Sequence, residues 1–467
     1  MGGRSEADPG PRPRLPGALS TMFKVALETF GCRLNQAETA TLHRQFLARG
    51  YQVVDDPLSA DLYVVNTCTL TSPATAKCRR RIRSVIRRNP GACVAAIGCF
   101  AQTDADALRR IEGVDFIVGT ADKLRLAEII GSPVKLPEPK IVHSPVTTDA
   151  FTSPGPGHYP WNTRANIKVQ EGCDFVCAFC IVPRSRGRAR SREFGDIMKE
   201  ARALVADGHR ELVVTGVNMG VYRDGGRVLA DVIRGLGDVE GLERIRLSSI
   251  EPTTIGDDIV NALAAGGKLC PYLHVPLQSG DDRVLSAMRR RYDAAGYRAF
   301  TERVRERVPA IGLGTDVMVG FPGEDERAFE SSLALVEEFP FTNVHVFSFS
   351  ARPRTTAYAM KDKVPVDVVA QRSAVMHRLA ESKKSEFYRQ HAGAIKWVLF
   401  EERDAGGRVL GFTDNYVRVA VESGLDLGNR LGRVRITGVD AGRARTPLVA
   451  TGELIELETA REAVKAS

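Results

Sequence analysis

Cys173, Cys177 and Cys180 stand in the spacing C-x3-C-x2-C, inside "EGCDFVCAFCIVPRSRGRARSR" (171–192). A loop this tight can aim three thiolates at one point. Three thiolates satisfy three irons of a four-iron cluster and leave the fourth iron open. Structural zinc is the competing reading. It takes four ligands, usually as two C-x2-C pairs, and no fourth Cys or His sits nearby in the sequence.

Arg184, Arg186, Arg188, Arg190 and Arg192 follow at once. They put a run of cations beside the ligands, where a polyanion could be guided in. A second run, "KCRRRIRSVIRR" (77–88), carries seven basic residues and no acid, and "MRRRY" (288–292) adds a third patch. Any one run can equally be a solvated face. Three runs, two of them tied to cysteine loops, favour phosphate contacts.

Cys32, Cys68 and Cys99 are far apart in sequence, yet each follows a predicted strand, in "ETFGC", "VVNTC" and "AAIGC". In a parallel sheet the carboxyl ends share one edge, so three thiolates could converge there on a second cluster. Scattered cysteines are more often small buried hydrophobes, and that is the reading given to Cys78, Cys93 and Cys270. Cys93 opens its strand and belongs at the opposite edge.

These residues need elements to hold them. From Lys24 to about Ile130 the pattern alternates strand and helix: strands at 24–30, 60–67 and 93–98, helices at 36–50 and 74–91. Alternation of this kind predicts a parallel α/β sheet domain. Residues 131–160 are Pro-rich and polar and read as a linker. From about Arg164 to Ser350 six further β-α units follow, with strands at 165–170, 211–216, 244–249, 272–277, 312–321 and 343–349. They predict a partial or complete β/α barrel with its chemistry at the strands' carboxyl ends. A charged helix at 368–393 precedes short alternating strands that predict a small β-barrel.

The bulk numbers agree with this division. A chain of 467 residues is too long for one core and predicts about three domains. Hydrophobic content of 43%, charged content of 26% and a net charge of +8 describe an ordinary globular protein with a modest basic excess. No stretch approaches the roughly 18 apolar residues of a membrane span. Residues 1–22 read as a disordered leader, with Met22 as an alternative start to Met1; they lack the apolar core of a secretory signal. Nine cysteines, an odd number, point to metal or redox chemistry in a reducing compartment, and a cytoplasmic location is expected.

The segments "TFGCRLNQAET", "VVNTCTL", "AAIGCFAQ", "KVQEGCDFVCAFCIVPRSRGRARSR", "LSSIEP", "LHVPLQSGDDRVLSAMRRRY" and "VGFPGE" resemble, in order, those of the radical S-adenosylmethionine methylthiotransferase family. The resemblance runs from about Lys24 to Gly452. It implies an N-terminal methylthiotransferase domain (23–135), a radical S-adenosylmethionine domain (155–388) and an RNA-binding TRAM barrel (389–456). It implies two [4Fe-4S] clusters, a catalytic one on Cys173, Cys177 and Cys180 and a second on Cys32, Cys68 and Cys99. The second would hold an exogenous sulfur for transfer, and S-adenosylmethionine would be bound beside Phe179 and by Thr215, Glu251 and Gln278. "RGRARSR" and "GCRLNQAET" look most like the branch acting on N6-threonylcarbamoyladenosine next to the tRNA anticodon. The alternatives are isopentenyl-adenosine in tRNA or a ribosomal protein. The expected partners are tRNA, an external electron donor and a sulfur source. A different class of reading, a non-catalytic metal-containing RNA-binding protein, differs in its metal content.

Overall fold

The computed structural model describes residues 22–160, 162–440 and 447–458. The expected leader, apart from Met22, lies outside the described residues. Six strands open the chain: β1 (Lys24–Thr29), β2 (Gln52–Val53), β3 (Leu62–Thr67), β4 (Cys93–Gly98), β5 (Phe116–Val118) and β6 (Lys140–Val142). They form one parallel sheet in the order β2-β1-β3-β4-β5-β6. Every residue of β3 and β4 is buried, because apolar layers cover both faces of the sheet.

The segment 131–160 departs from the structureless linker expected. Its residues Lys140–Val142 pair with β5 as the sixth strand. Three residues between prolines are too few to carry a period-two signature. The strand is held by backbone bonds, Lys140 N to Asp115 O at 2.8 Å and Gly119 N to Val142 O at 2.8 Å.

The central domain contributes β7 (Arg164–Lys168), β8 (Gln170–Glu171), β9 (Arg190–Ser191), β10 (Glu211–Thr215), β11 (Arg244–Leu247), β12 (Tyr272–His274), β13 (Gly312–Val319) and β14 (Phe341–Ser348). Two parallel sheets, β11-β10-β7 and β12-β13-β14, meet through the Ser249–His274 bridge and make an open barrel wall. The short pair β8–β9 ties off the cysteine loop. Beside β7 the wall meets the helix Arg33–Ala48 of the N-terminal domain, where Asn166 donates to Gln36 at 3.3 Å and Lys168 to Glu38 at 3.1 Å.

A helix, Val366–Arg389, leads into β15 (Ile395–Arg403), β16 (Val409–Thr413), β17 (Arg418–Val421), β18 (Leu431–Asp440) and β19 (Val449–Leu457), a closed five-stranded barrel. This barrel docks at the amino ends of the central strands, opposite the cysteine loop. Arg244, the first residue of β11, donates to Phe412 O at 2.8 Å and Trp397 O at 2.7 Å. Arg246 donates to Asp414 O at 2.7 Å and pairs with Glu211 at 2.7 Å. Among the described residues no helix is long and apolar enough to cross a membrane.

Candidate cluster and cofactor site

The central cysteines sit where the chain leaves β8. Gly172 turns it with φ +71°, and a side chain there would collide with the Arg188 carbonyl. The loop is pinned from both sides: Ala178 N donates to Met288 O at 2.9 Å, and Ala357 N to Ala178 O at 2.8 Å. Cys173 Sγ accepts from Phe175 N at 3.3 Å. Burial raises the Cys173 thiol and pushes the Cys180 thiol up to about 12. A buried thiol this reluctant to ionise is stabilised as thiolate by a metal cation.

Arg290 is the cation at this loop. Its Nη1 lies 3.3 Å from Cys177 Sγ, its Nη2 lies 2.5 Å from Glu251 Oε2, and its Nε donates to Tyr292 at 3.0 Å. The "MRRRY" run is therefore divided. Arg289 and Arg291 are exposed, Arg291 lying over the Phe175 ring at 3.8 Å, while Arg290 turns inward to the thiol.

The residues expected to contact S-adenosylmethionine lie at the carboxyl ends of the barrel strands. Thr215 ends β10 and is buried, accepting from Ser248 at 3.4 Å. Glu251 and Gln278 follow β11 and β12. Glu251 Oε1 and Gln278 Oε1 are buried without a hydrogen-bond partner, and Gln278 adopts φ +69°. Such a conformation is costly for a non-glycine residue, and here the backbone bonds Gln278 N to Asp316 O at 2.8 Å and Met318 N to Gln278 O at 2.9 Å hold it. Burial raises the Glu251 carboxyl. Phe179 is half-buried and meets Phe321 edge-on, ring centroids 6.4 Å apart. Two orphaned acceptors beside a three-thiol loop fit a polar cofactor with amino donors.

Cys32, Cys68 and Cys99 come together at the carboxyl ends of β1, β3 and β4, three adjacent strands. Cys32 caps the helix Arg33–Ala48, Cys68 directly follows β3, and Cys99 opens the helix Cys99–Thr103. Gly31, at φ +102°, allows the closest approach: a Cβ there would lie 2.9 Å from Cys68 Sγ. Asn35 locks the edge by donating to Phe30 O at 2.6 Å and Thr67 O at 3.1 Å. Burial pushes the Cys68 thiol up to about 12, and the charges of Cys99 and Cys32 both act on it. Cys93 lies at the other end of β4. Cys78 is fully buried within reach of Cys68.

The arginine run behaves unlike a uniform phosphate surface. Arg186 and Arg192 have only 2% and 1% of their surface exposed. Arg186 pairs with Glu171 at 2.7 Å and Glu38 at 2.9 Å and donates to Asn35 at 2.5 Å. Arg192 pairs with Asp196 at 2.6 Å and with Glu200. Arg190 pairs with Glu171 at 2.7 Å. The expectation that Arg186 and Arg192 touch RNA is corrected: unexposed guanidinium groups with carboxylate partners have nothing left to offer a phosphate. Arg184 and Arg188 remain exposed, the first donating to Arg354 O at 2.9 Å and the second pairing with Asp174 at 2.9 Å.

What Arg186 does instead is join the two cysteine sites. Burial alone would lift the Glu38 carboxyl; Arg186, then Lys123 and Lys168, overcome it and hold it well below the usual carboxylate range. Glu171 is held to about 2 in the same way, by Lys168 and then Arg186 against burial. Lys123, Lys168, Arg186 and Arg190 surround only Glu38 and Glu171. Burial, then Arg186, lowers the Lys123 pKa, so the layer is close to balanced. Cys99 and Cys32 lie within electrostatic reach of Arg186. Thiolates holding a cluster would set their negative charge beside the buried Arg186 guanidinium, so the residues fit that group. The helix Val182–Arg186, which starts two residues after Cys180, packs on the helix opened by Cys99. On the other side Arg352, beyond β14, donates to Thr69 at 3.0 Å and Ser72 at 3.1 Å and reaches the field of Cys68. Sequence reasoning missed Glu38, Lys123, Lys168, Glu171, Arg290 and Arg352, because the partners that tie them to the cysteine sites are mostly remote in the chain.

Residues 24–119 match the uncharacterized protein family UPF0004, and residues 167–336 match the radical SAM superfamily. The threonylcarbamoyladenosine tRNA methylthiotransferase MtaB of Bacillus subtilis is 34% identical over 431 residues, covering 89% of this chain and 94% of that protein. The protein of the same description from Thermotoga maritima is 35% identical over 88% of this chain and 93% of its own length. A tRNA-2-methylthio-N(6)-dimethylallyladenosine synthase of Cereibacter sphaeroides is 35% identical over 90% of this chain and 97% of its own. Among solved structures, the radical S-adenosylmethionine methyltransferase TsrM of Kitasatospora setae has the same fold over 72% of this chain and 77% of its own, with a TM-score of 0.53 at 18% identity.

Proposed function

The chain belongs to the radical S-adenosylmethionine methylthiotransferase family, and on that premise we propose that it transfers a methylthio group to C2 of N6-threonylcarbamoyladenosine beside the anticodon of tRNA. The observation that carries this reading is the pairing of two three-cysteine sites, one per domain, joined through the helix Val182–Arg186. A single-cluster enzyme would not need the second set at one sheet edge. The MtaB proteins, named for the threonylcarbamoyladenosine of tRNA, support the choice of substrate.

Cys173, Cys177 and Cys180 would hold the radical [4Fe-4S] cluster, and Cys32, Cys68 and Cys99 a second one. When bound, the two clusters and S-adenosylmethionine supply one-electron chemistry able to break an aromatic C2–H bond, too weak an acid for any side-chain base, and a seat for the sulfur to be transferred. Arg290 balances charge at Cys177, and Arg186 and Arg352 do so at the second site. Glu251 and Gln278 offer free acceptors to the amino groups of the cofactor, and Phe179 offers an apolar wall. Cys68 and Cys99 are buried, while Cys32, Cys173, Cys177 and Cys180 are half-buried and leave a side open to cofactor and substrate. An electron donor and a sulfur source must come from outside the chain. Exposed cations on the helix Ser72–Arg88, with Arg184 and Arg188, offer phosphate contacts near the two sites.

The test is mass spectrometry of tRNA nucleosides from cells lacking the gene. The methylthio group should vanish from threonylcarbamoyladenosine while other modified adenosines keep theirs. Loss from an isopentenyl-type adenosine instead, or an unchanged nucleoside profile, would overturn the substrate assignment.

A further inference from the structure

His274, Asp316 and His345 lie outside both cysteine loops, on β12, β13 and β14. His274 is in register with Gly314, Asp316 stands two residues further along the same face of β13, and Asp316 is in register with His345. Three adjacent strands thus present two imidazoles and one carboxylate side by side. Asp316 Oδ1 is 3.4 Å from His274 Nε2 and 3.4 Å from His345 Nδ1. One donor atom from each residue fits inside a set spanning no more than 4.8 Å.

These separations are wrong for hydrogen bonds and right for ligands of one ion. A charge-assisted N–H···O contact closes to about 2.7–2.9 Å. His274 Nε2 is buried and has no hydrogen-bond partner. A tetrahedral ion bound at about 2.0–2.1 Å holds neighbouring donor atoms about 3.3–3.4 Å apart. Gly314 makes the arrangement possible, since a Cβ at that position would lie 2.6 Å from His274 Cδ2 and 2.5 Å from the Tyr272 hydroxyl.

We propose that His274, Asp316 and His345 form a mononuclear site for a divalent transition ion of the zinc class, with at least one position open to an oxygen ligand. Two imidazoles and a carboxylate suit such an ion better than magnesium or calcium, which prefer all-oxygen shells. Three protein ligands leave a tetrahedral ion incomplete, as in sites that bind an exogenous group. His274 anchors the site from inside, whereas His345 is 59% exposed, so the open position faces the accessible side.

The test uses cluster-loaded protein equilibrated anaerobically with zinc and then measured for zinc and iron by mass spectrometry. The wild type should hold about one zinc per chain, with nitrogen and oxygen but no sulfur neighbours in zinc X-ray absorption. His345→Ala should lose at least tenfold in zinc affinity and keep its iron; its exposure makes it a safe substitution for folding. Asp316→Asn should behave alike. Absence of zinc from the wild type, zinc ligated by sulfur, or variants that bind zinc as the wild type does would overturn the proposal.

Discussion

Replacing Arg290 with Gln is expected to lower the reduction potential of the cluster proposed for Cys173, Cys177 and Cys180. The guanidinium sits 3.3 Å from Cys177 Sγ, with 5% of its side chain exposed, so solvent screens it little. A full charge at that separation interacts with a full charge by about 5 kcal/mol at an effective dielectric of about 20. Two effects cut this down. The electron added on reduction is spread over the cluster, and Glu251, 2.5 Å from Arg290, offsets part of its field. Retaining roughly a third leaves about 1–2 kcal/mol, or about 45–90 mV for one electron. Glu251→Gln should move the potential the other way, because it removes the opposing charge. The assay is a potentiometric titration followed by electron paramagnetic resonance, in a background where Cys32, Cys68 and Cys99 are Ala and only the central cluster remains. A variant that keeps its iron but shifts by less than about 20 mV, or upward, would refute the electrostatic reasoning.

Arg186→Met strips Glu38 and Glu171 of a shared partner and should cost about 3–5 kcal/mol, read as a lower first transition in thermal unfolding. Gly31→Ala forces a side chain against Cys68 at a backbone angle of φ +102° and should drop iron from about eight to about four per chain on reconstitution. Burial would raise the Glu211 carboxyl, but Arg246 and then Arg164 hold it down to about 2. Its folded pKa is thus depressed, and its contribution is present above the ordinary value of 4.5 and lost as pH falls toward about 2. Proteolysis between the central and C-terminal domains should accelerate across that window, and Glu211→Gln should flatten the response. Changing Arg80, Arg83 and Arg87 together to Gln should reduce the log–log salt slope of tRNA binding by about 2–3 without loss of iron.

The convergence of Cys32, Cys68 and Cys99 was legible because each follows a strand of a parallel sheet, and strand ends share an edge whatever the loop lengths. The barrel strands were legible for the same reason, through their apolar runs. The roles of Arg186, Arg192 and Arg290 were not. A charge run looks solvated until its counterions are known, and Glu38 lies 148 residues from Arg186. The strand Lys140–Val142 was hidden by its shortness among prolines. Likewise, nothing in the spacing of His274, Asp316 and His345 brings them together; only the register of three separate strands does.

The charged layer buried between the first two domains has a consequence for biogenesis. Glu38 of the N-terminal domain reaches Lys168 and Arg186 of the central barrel, so the two halves close on ion pairs, and metal-bound thiolates at Cys32 and Cys99 would add negative charge beside Arg186. On the proposed reading, loading iron and sulfide would tighten the seam between the two halves. Starving cells of iron should therefore leave protease-sensitive protein, and not merely inactive protein, behind.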